Sequence, residues 1–570
     1  MRIQKDLRCE TRDGVELAAD VYLPDEPGEY PALLAYSPYG KDLQDAVLFL
    51  PRQSREESTM WDGTIEAGDI EFITDNGYAH VIADVRGTGD SGGQAVGFFD
   101  RAGQDGYDLV EWIAEQPWCD GQVGGVGRSW FGTNQLLLAA ANPPSLVGVF
   151  PSGVFTDLYR EFAYHGGVLN MFLYGLWDGR HGDSGIVDAD WVSRERHENS
   201  PEAFEALLAE ALEDPDVRQY PNLYQLLNYP EKNPLFVDLV LNDTDSEFYA
   251  ERSPHERLAD VECPIYLSGA WGGTHAGPVY TADERLDVDQ ERILMTPPRL
   301  LERPYHEYKE ELIRWYDWLT KGEDTGIADE PPVKIYVAGA DRWRFEEKLV
   351  PERTEWTELF FRNHGRLLPD PEPVASVPPR GFTQDPPNVS DELGRVRYRT
   401  EPLAEAREFT GPGVVSLYAS IDAPDTTWIV YLHQLSGDER ETLSRGYLRA
   451  SHRELDPERS TPHRPYHTHR DPEPVTPGEV YGYRIPLAPT AVEVPKGDRL
   501  ELEVRSMEIP FAETSDLPPG SHHLPHAETI SHKIYADAER PSGLTLPEIP
   551  STDPEQWIDP GDEAHPGPVR

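Results

Sequence analysis

Lysine is scarce. Only 9 of the 51 basic residues are lysine, against 42 arginines and 103 acids, and the formal charge is −52. Such a surface repels nucleic acid and anionic membranes, which excludes both as partners. The acids run through the whole chain rather than forming a tail, and long apolar strands accompany them, unlike a small acidic mimic of nucleic acid. A solvated anionic surface suited to concentrated salt is the expectation, because the Debye length there falls to about 3 Å. Cysteine is equally sparse. Cys9, Cys119 and Cys263 are odd in number and far apart, so neither a disulfide framework nor a C-x-x-C metal site is indicated. Long hydrophobic runs are missing too. MRIQKDLRCETRDG at the start has no apolar leader core and no segment approaches a membrane span, so a soluble cytoplasmic protein is expected.

At 570 residues the chain exceeds one core and suits two or three domains. YPALLAYSPYG (30–40) and GYAHVIADVRG (77–87) read as buried strands ended by proline or glycine. GQDGYDLVEWIAEQ (103–116) sets Tyr107, Val110, Ile113 and Ala114 on one helical face. GQVGGVGRS is a strand, WFGTNQLLLAAAN a helix stopped by Asn142-Pro143, and SLVGVFPSGVF (145–155) another strand. Such alternation predicts an α/β fold with a parallel sheet covered by helices on both faces. A helical insertion follows at 156–259, with PEAFEALLAEALED its clearest helix. CPIYLSGAW and RILMTPP then resume the strands before the helix HEYKEELIRWYDWLTKG. The core is expected at 1–155 and 260–329. Beyond the Pro- and acid-rich stretch 323–332, short alternating segments (VKIYVAG, GVVSLYASI, WIVYLHQL, EVYGYRIPL, RLELEVRS) predict an antiparallel β sandwich or jelly roll at 330–548. A disordered tail is expected at 549–570.

Within GGVGRSWFG, a strand, then Ser129, then a helix is the context of a nucleophile elbow. The amide of Trp130 would serve as an oxyanion donor beside the helix start. The spacing departs from G-x-S-x-G, since Phe131 holds the second place after the serine and Gly132 the third. SPYGK, DVRGTGDSGG, DGYDLVEWIAEQPWCDGQVGGVG, GRSWFG, RWYDWLTKGEDTG, LSRGYLRASHRELD and VEVPKGDRLELEV appear in order between Asp13 and about Tyr535. On these segments the chain resembles the cocaine-esterase and glutaryl-acylase-like (CocE/NonD) hydrolases, relatives of the X-prolyl dipeptidyl-peptidases. The resemblance implies an α/β-hydrolase core, a helical cap and a C-terminal galactose-binding-like jelly roll. It also implies Ser129 as nucleophile and Tyr39 of SPYGK as a hydroxyl donor to the oxyanion.

Two departures from that pattern matter, because serine alone is a feeble nucleophile near pH 7. Where the family carries its acid in Gly-Trp-Tyr-Asp, this chain has Ala270-Trp271-Gly272-Gly273; where it carries its histidine, the chain has Thr296-Pro297-Pro298-Arg299-Leu300. His306 in ERPYHEY is the first replacement as base and His275 in WGGTHAGP the second. Asp157, after the strand that follows the elbow helix, is the candidate acid, with Asp243 and Asp245 of LNDTDSE behind it. Arg86 and Asp90 in DVRGTGD are expected to order loops. His463, His467 and His469 lie in a Pro-rich loop with no second cluster, so no metal site is read there. The chain therefore reads as a serine hydrolase of small esters, amides or short peptides through an acyl-enzyme, with no cofactor, and with dipeptidyl-peptidase activity a narrower form. A binding protein on a hydrolase scaffold with a broken triad is the alternative. The oligomeric state is not legible.

Overall fold

The computed structural model describes residues 1–48, 66–97, 101–173, 191–272, 274–297, 309–508, 522–550 and 556–558. Its centre is a 10-stranded sheet. In chain order the strands are β1 (Arg2–Glu10), β2 (Glu16–Leu23), β3 (Tyr30–Ser37), β4 (Ala79–Asp84), β5 (Cys119–Arg128), β6 (Leu146–Ser152), β7 (Ile265–Ala270), β8 (Glu291–Thr296), β9 (Val333–Val337) and β10 (Arg342–Glu346). Across the sheet they run β1-β2-β4-β3-β5-β6-β7-β8-β9-β10. From β4 to β9 every pairing is parallel, while β1, β2 and β10 run antiparallel at the two edges. Apolar runs such as YPALLAYS and AHVIAD are buried on both faces, as strands between two helical layers must be. Helices α1 (Ala102–Ala114), α2 (Trp130–Ala141), α3 (Ala276–Asp283) and α4 (Lys309–Tyr316) include the layers beside the site. Because the strands are parallel, the loops after β3, β5, β6 and β7 leave the same edge. Ligands of open α/β sheets bind at that edge.

The insertion after β6 is helical for readable local reasons. Ser193, Ser200, Asp214 and Asn233 each accept a backbone N–H at a helix start, and proline opens three of those four helices. A short π-helix (Leu158–Ala163) and a two-residue hairpin (Tyr164–His165 with Val168–Leu169) join the insertion to the core. The C-terminal region is a 14-stranded, mostly antiparallel β jelly roll with its own core around Trp428, Leu417, Leu502 and Ile534.

Three segments differ from expectation. The VKIYVAG run is β9, paired in parallel with β8, and β10 returns against it, so the core sheet extends to Glu346. Period-two alternation is the same for a sheet's last strand as for a sandwich strand, so the pattern could not assign it. The N-terminal hairpin β1–β2 carried too polar an outer strand to register. Part of the tail is ordered: Ile549 ends a strand (Gly543–Ile549), Trp557 bridges Arg344 of β10, and the Ile558 amide donates to the Trp343 carbonyl at 3.0 Å. The expectation for 551–555 and 559–570 lies outside the described residues.

Candidate active site

Ser129 is the whole turn between β5 and α2, with φ 55° and ψ −118°. That conformation lies outside the left-handed helical well and costs about 1–3 kcal/mol, so the surroundings must impose it. They do so by backbone clamps. The Ser129 amide donates to the Ser152 carbonyl at 2.8 Å, and the Ser129 carbonyl accepts from the Thr133 amide at 2.8 Å and the Thr133 hydroxyl at 3.0 Å. A Cβ on Gly132 would lie 2.7 Å from the Ser152 carbonyl oxygen, and one on Gly127 would lie 2.4 Å from the Phe131 Cβ. Gly132, three places after the serine, thus makes the close approach that the usual spacing gives to the second place. Phe131 is left room to be buried. Ser129 itself is half-buried, and among the described residues its hydroxyl has no hydrogen-bond partner.

Tyr39 follows β3, the strand beside β5. It is buried, its ring centroid is 6.2 Å from that of Phe131, and its amide donates to the Ser37 hydroxyl at 3.1 Å. Trp130 opens α2, so its amide points out of the positive end of the helix. The end of β3 therefore places the Tyr39 ring beside that of Phe131, in the first turn of α2 after Ser129.

His275 stands after β7, directly before α3. Its Nδ1 lies 3.3 Å from the Val154 carbonyl oxygen. A carbonyl only accepts, so Nδ1 carries the proton and Nε2 keeps its lone pair. Burial first, and then the Arg128 guanidinium, push its pKa down to about 4, against the opposing effect of the Val154 carbonyl. The Ser152–Val154 segment links the imidazole to the elbow. Ser152 holds the Ser129 amide, a Cβ on Gly153 would lie 3.7 Å from His275 Cγ and 3.4 Å from Arg128 Nε, and Val154 receives the imidazole proton. An imidazole in this state can accept a proton. Phe155 packs on it at 4.9 Å, and a row of rings continues through Phe162 (5.0 Å) to Trp130 (5.3 Å). Arg128, Val154, Phe155 and Phe162 were not singled out from sequence; only the place of Arg128 beside the serine hinted at it.

Asp157 is placed elsewhere. It caps the π-helix, accepting from the amides of Tyr159 (3.1 Å) and Arg160 (3.0 Å), and its carboxylate pairs with the Arg160 guanidinium at 2.7 Å. Despite burial, which pushes the other way, Arg160 and then His255 bring its pKa down to about 2. These contacts engage both carboxylate oxygens, and among the described residues none of them is with His275. Asp245 shares the same guanidinium at 3.0 Å, and the Asp243 carbonyl accepts from the Tyr159 hydroxyl at 2.8 Å. His306 lies outside the described residues. In the β region, His463 stacks on Trp356 at 3.6 Å, His467 meets the Arg484 carbonyl at 2.7 Å, and His469 meets His452 at 3.2 Å. Among the described residues the grouping with metal-ligand spacing is His433, Glu501 and Glu503. Arg397 and Arg440 already engage both carboxylates, at 2.6–3.6 Å, and leave a cation little to gain there.

Comparison with known proteins agrees with this architecture. The family model described as X-Pro dipeptidyl-peptidase (S15 family) matches residues 13–298, and that of the X-Pro dipeptidyl-peptidase C-terminal non-catalytic domain matches 325–545. The chain is 28% identical over 495 residues to the cocaine esterase of Rhodococcus sp. (strain MB1 Bresler), covering 78% of this chain and 82% of that protein. Among solved structures, a CocE/NonD family hydrolase from Staphylococcus aureus superposes with a TM-score of 0.74 at 21% identity, over 96% of this chain and 94% of that one. An aminopeptidase from a marine sediment Thaumarchaeota archaeon gives 0.73 at 17% identity, over 96% of each chain. With half of its length matched by the catalytic-domain model and most of the remainder by the companion domain, the chain belongs to the X-Pro dipeptidyl-peptidase (S15) family of serine hydrolases.

Proposed function

We propose that this serine hydrolase cleaves small esters or amides through an acyl-enzyme on Ser129, with His275 as the base. The Ser129 oxygen attacks the acyl carbonyl while His275 Nε2 takes its proton. The Trp130 amide and the Tyr39 hydroxyl receive the charge developing on the carbonyl oxygen. The imidazolium then returns its proton to the leaving alcohol or amine, and water reverses the sequence to free the acid. The observation that carries this reading is the run Ser152-Gly153-Val154, which binds the elbow at one end and fixes the His275 tautomer at the other. A carbonyl stands where a triad has a carboxylate, so the imidazolium gains less stabilisation and turnover is modest. The rings of Phe155, Phe162 and Trp130 give the acyl side an apolar wall, which favours apolar acyl groups. An X-Pro dipeptide substrate is the narrower form, supported by the family name alone. The −52 charge and the preference for arginine over lysine support a salt-requiring enzyme.

A fluorophosphonate probe at molar KCl tests the core of the proposal. A covalent adduct that disappears in Ser129→Ala supports it. No adduct on the parent chain supports the alternative, a binding protein, which the loss of the family's usual acid and histidine positions favours. His275→Ala should lower turnover by at least ~10³; a fall of only a few-fold transfers the base to His306.

A further inference from the structure

SPYGK and DVRGTGD, two motifs far apart in sequence, meet at Lys41. Its backbone amide donates to Asp84 Oδ1 at 2.7 Å, and Asp84 Oδ2 accepts from the Asp90 amide at 3.0 Å. Asp84 ends β4 and is buried; a Cβ on Gly89 would fall 2.2 Å from its carboxylate, so glycine is required where the DVRGTGD turn folds over it. The Lys41 ammonium is also buried, its side chain 1% exposed. It pairs with Asp6 and Asp90, both at 2.8 Å, with Asp42 at 3.3 Å and with Asp20 at 3.6 Å. Asp6 reaches it from a bulge in β1, where the register slips between Gln4 and Leu7 and Asp6 takes φ 57°. Non-glycine residues enter that region only when held there, here by the Asp6 amide donating to Asp20 at 3.0 Å. Lys5 closes the cluster from the other side, with Asp20 and Asp45 each at 2.6 Å.

Two of the chain's 9 lysines therefore sit in one network, in a protein whose other basic residues are mostly arginine. A compact ammonium directs its three donors out of any one plane towards carboxylates on several sides, whereas the five donors of a guanidinium all lie in one plane. The residue so fixed lies two places after Tyr39, across Gly40 at φ 81°. Tyr39 is thus bounded by the Ser37 hydroxyl on one side and by Lys41, locked through both backbone and side chain, on the other.

We propose that Lys41 is a positioning residue for the oxyanion site, holding the Tyr39 hydroxyl at the developing negative charge through the Asp6–Asp84–Asp90 clamp. The proposal rests on the reading of Tyr39 as an oxyanion donor, and a double-mutant cycle separates the two. In Tyr39→Phe, ester kcat should fall about 10²–10³-fold, as when other oxyanion donors are removed, with KM changed only a few-fold. Lys41→Met should show the same split between kcat and KM, and adding it to Tyr39→Phe should cost almost nothing more. Asp90→Asn, at an exposed carboxylate of the clamp, serves as a milder variant whose fold is checked by circular dichroism. Asp90, whose side chain is 49% exposed, tolerates the change better than the buried Lys41, and Asp90→Asn should lower kcat several-fold in the parent and not at all beside Tyr39→Phe. A full loss in Tyr39→Phe with unchanged kcat in folded Lys41→Met or Asp90→Asn overturns the clamp and leaves the Tyr39 reading standing. Losses that multiply rather than merge also overturn it, because they mark general destabilisation. An unchanged Tyr39→Phe sinks the Tyr39 reading and the clamp's purpose together.

Discussion

A histidine beside a guanidinium stays unprotonated further into acid than a free one. Burial and Arg128 both disfavour the charged form of His275, and its pKa is held near about 4, below the ordinary value of about 6.5. With the folded value depressed, the base form persists as pH falls, so the acid limb of kcat/KM should have its midpoint near 4. A limb near 6.5 would assign the proton transfer to another imidazole. Arg128→Met removes one of the two causes and should move the limb upward. Linkage has the matching sign. Neutral, half-buried His275 contributes its full stability above about 6.5, and that contribution is lost as pH falls from there towards 4, because the unfolded chain takes up the proton first. Asp157 gives the contrasting case. Bound to Arg160 and two backbone amides, it should behave as a structural residue. Asp157→Asn should lower the melting temperature by several degrees while leaving kcat within a few-fold. A collapse of kcat in a folded Asp157→Asn protein would return it to the catalytic set.

Elements were legible where chemistry is local. A strand buried on both faces must be apolar throughout, so YPALLAYS and AHVIAD stood out, and the glycines around Ser129 marked an elbow even though the spacing was shifted. What stayed hidden depends on pairing across distance. The alternation of VKIYV is the same against β8 as in a separate β sandwich, and only the parallel register assigns it to the core. Asp157 had a sequence position open to an acid, but the guanidinium that occupies it belongs to the next helix turn and to an ion pair with Asp245. Val154, which sets the His275 tautomer, is an ordinary apolar residue whose backbone carbonyl does the work, and side-chain patterns carry no trace of that. Two element-level outcomes follow. Gly132→Ala puts a methyl group 2.7 Å from the Ser152 carbonyl, so the elbow must open; probe labelling of Ser129 should fall at least ~10²-fold while circular dichroism is retained. Residues 556–558 cover the outer edge of β10 through the Trp557 bridge and the Ile558 amide. Truncation before Gln556 exposes that edge and should raise light scattering on heating, since an uncovered strand edge pairs with other chains. Unaltered scattering would make the contact incidental.

At the scale of the whole molecule, self-repulsion is the dominant long-range force. With 103 acids against 51 bases the net charge is −52, and in 10 mM salt, with a Debye length of about 30 Å, the resulting repulsion acts across a whole domain. At 1 M it reaches only about 3 Å, so exposed acids stop opposing compaction while short, buried ion pairs keep most of their strength. Pairs of that second kind are present here: Arg344 with Glu346 and Glu408, Arg160 with Asp157 and Asp245, and the Arg397–Arg440 grip on the buried Glu501 and Glu503. Salt therefore removes the unfavourable electrostatics and spares most of the favourable part. The melting temperature should climb steadily between 0.1 and about 2 M KCl, secondary structure should be lost on dialysis into dilute buffer, and returning the salt should restore it. Replacing KCl with an uncharged osmolyte at equal osmolality should not reproduce the gain at low ionic strength, because the osmolyte leaves the Debye length unchanged. If ellipticity in dilute buffer matches that in molar KCl, the acidic surface is not what sets the stability of this fold.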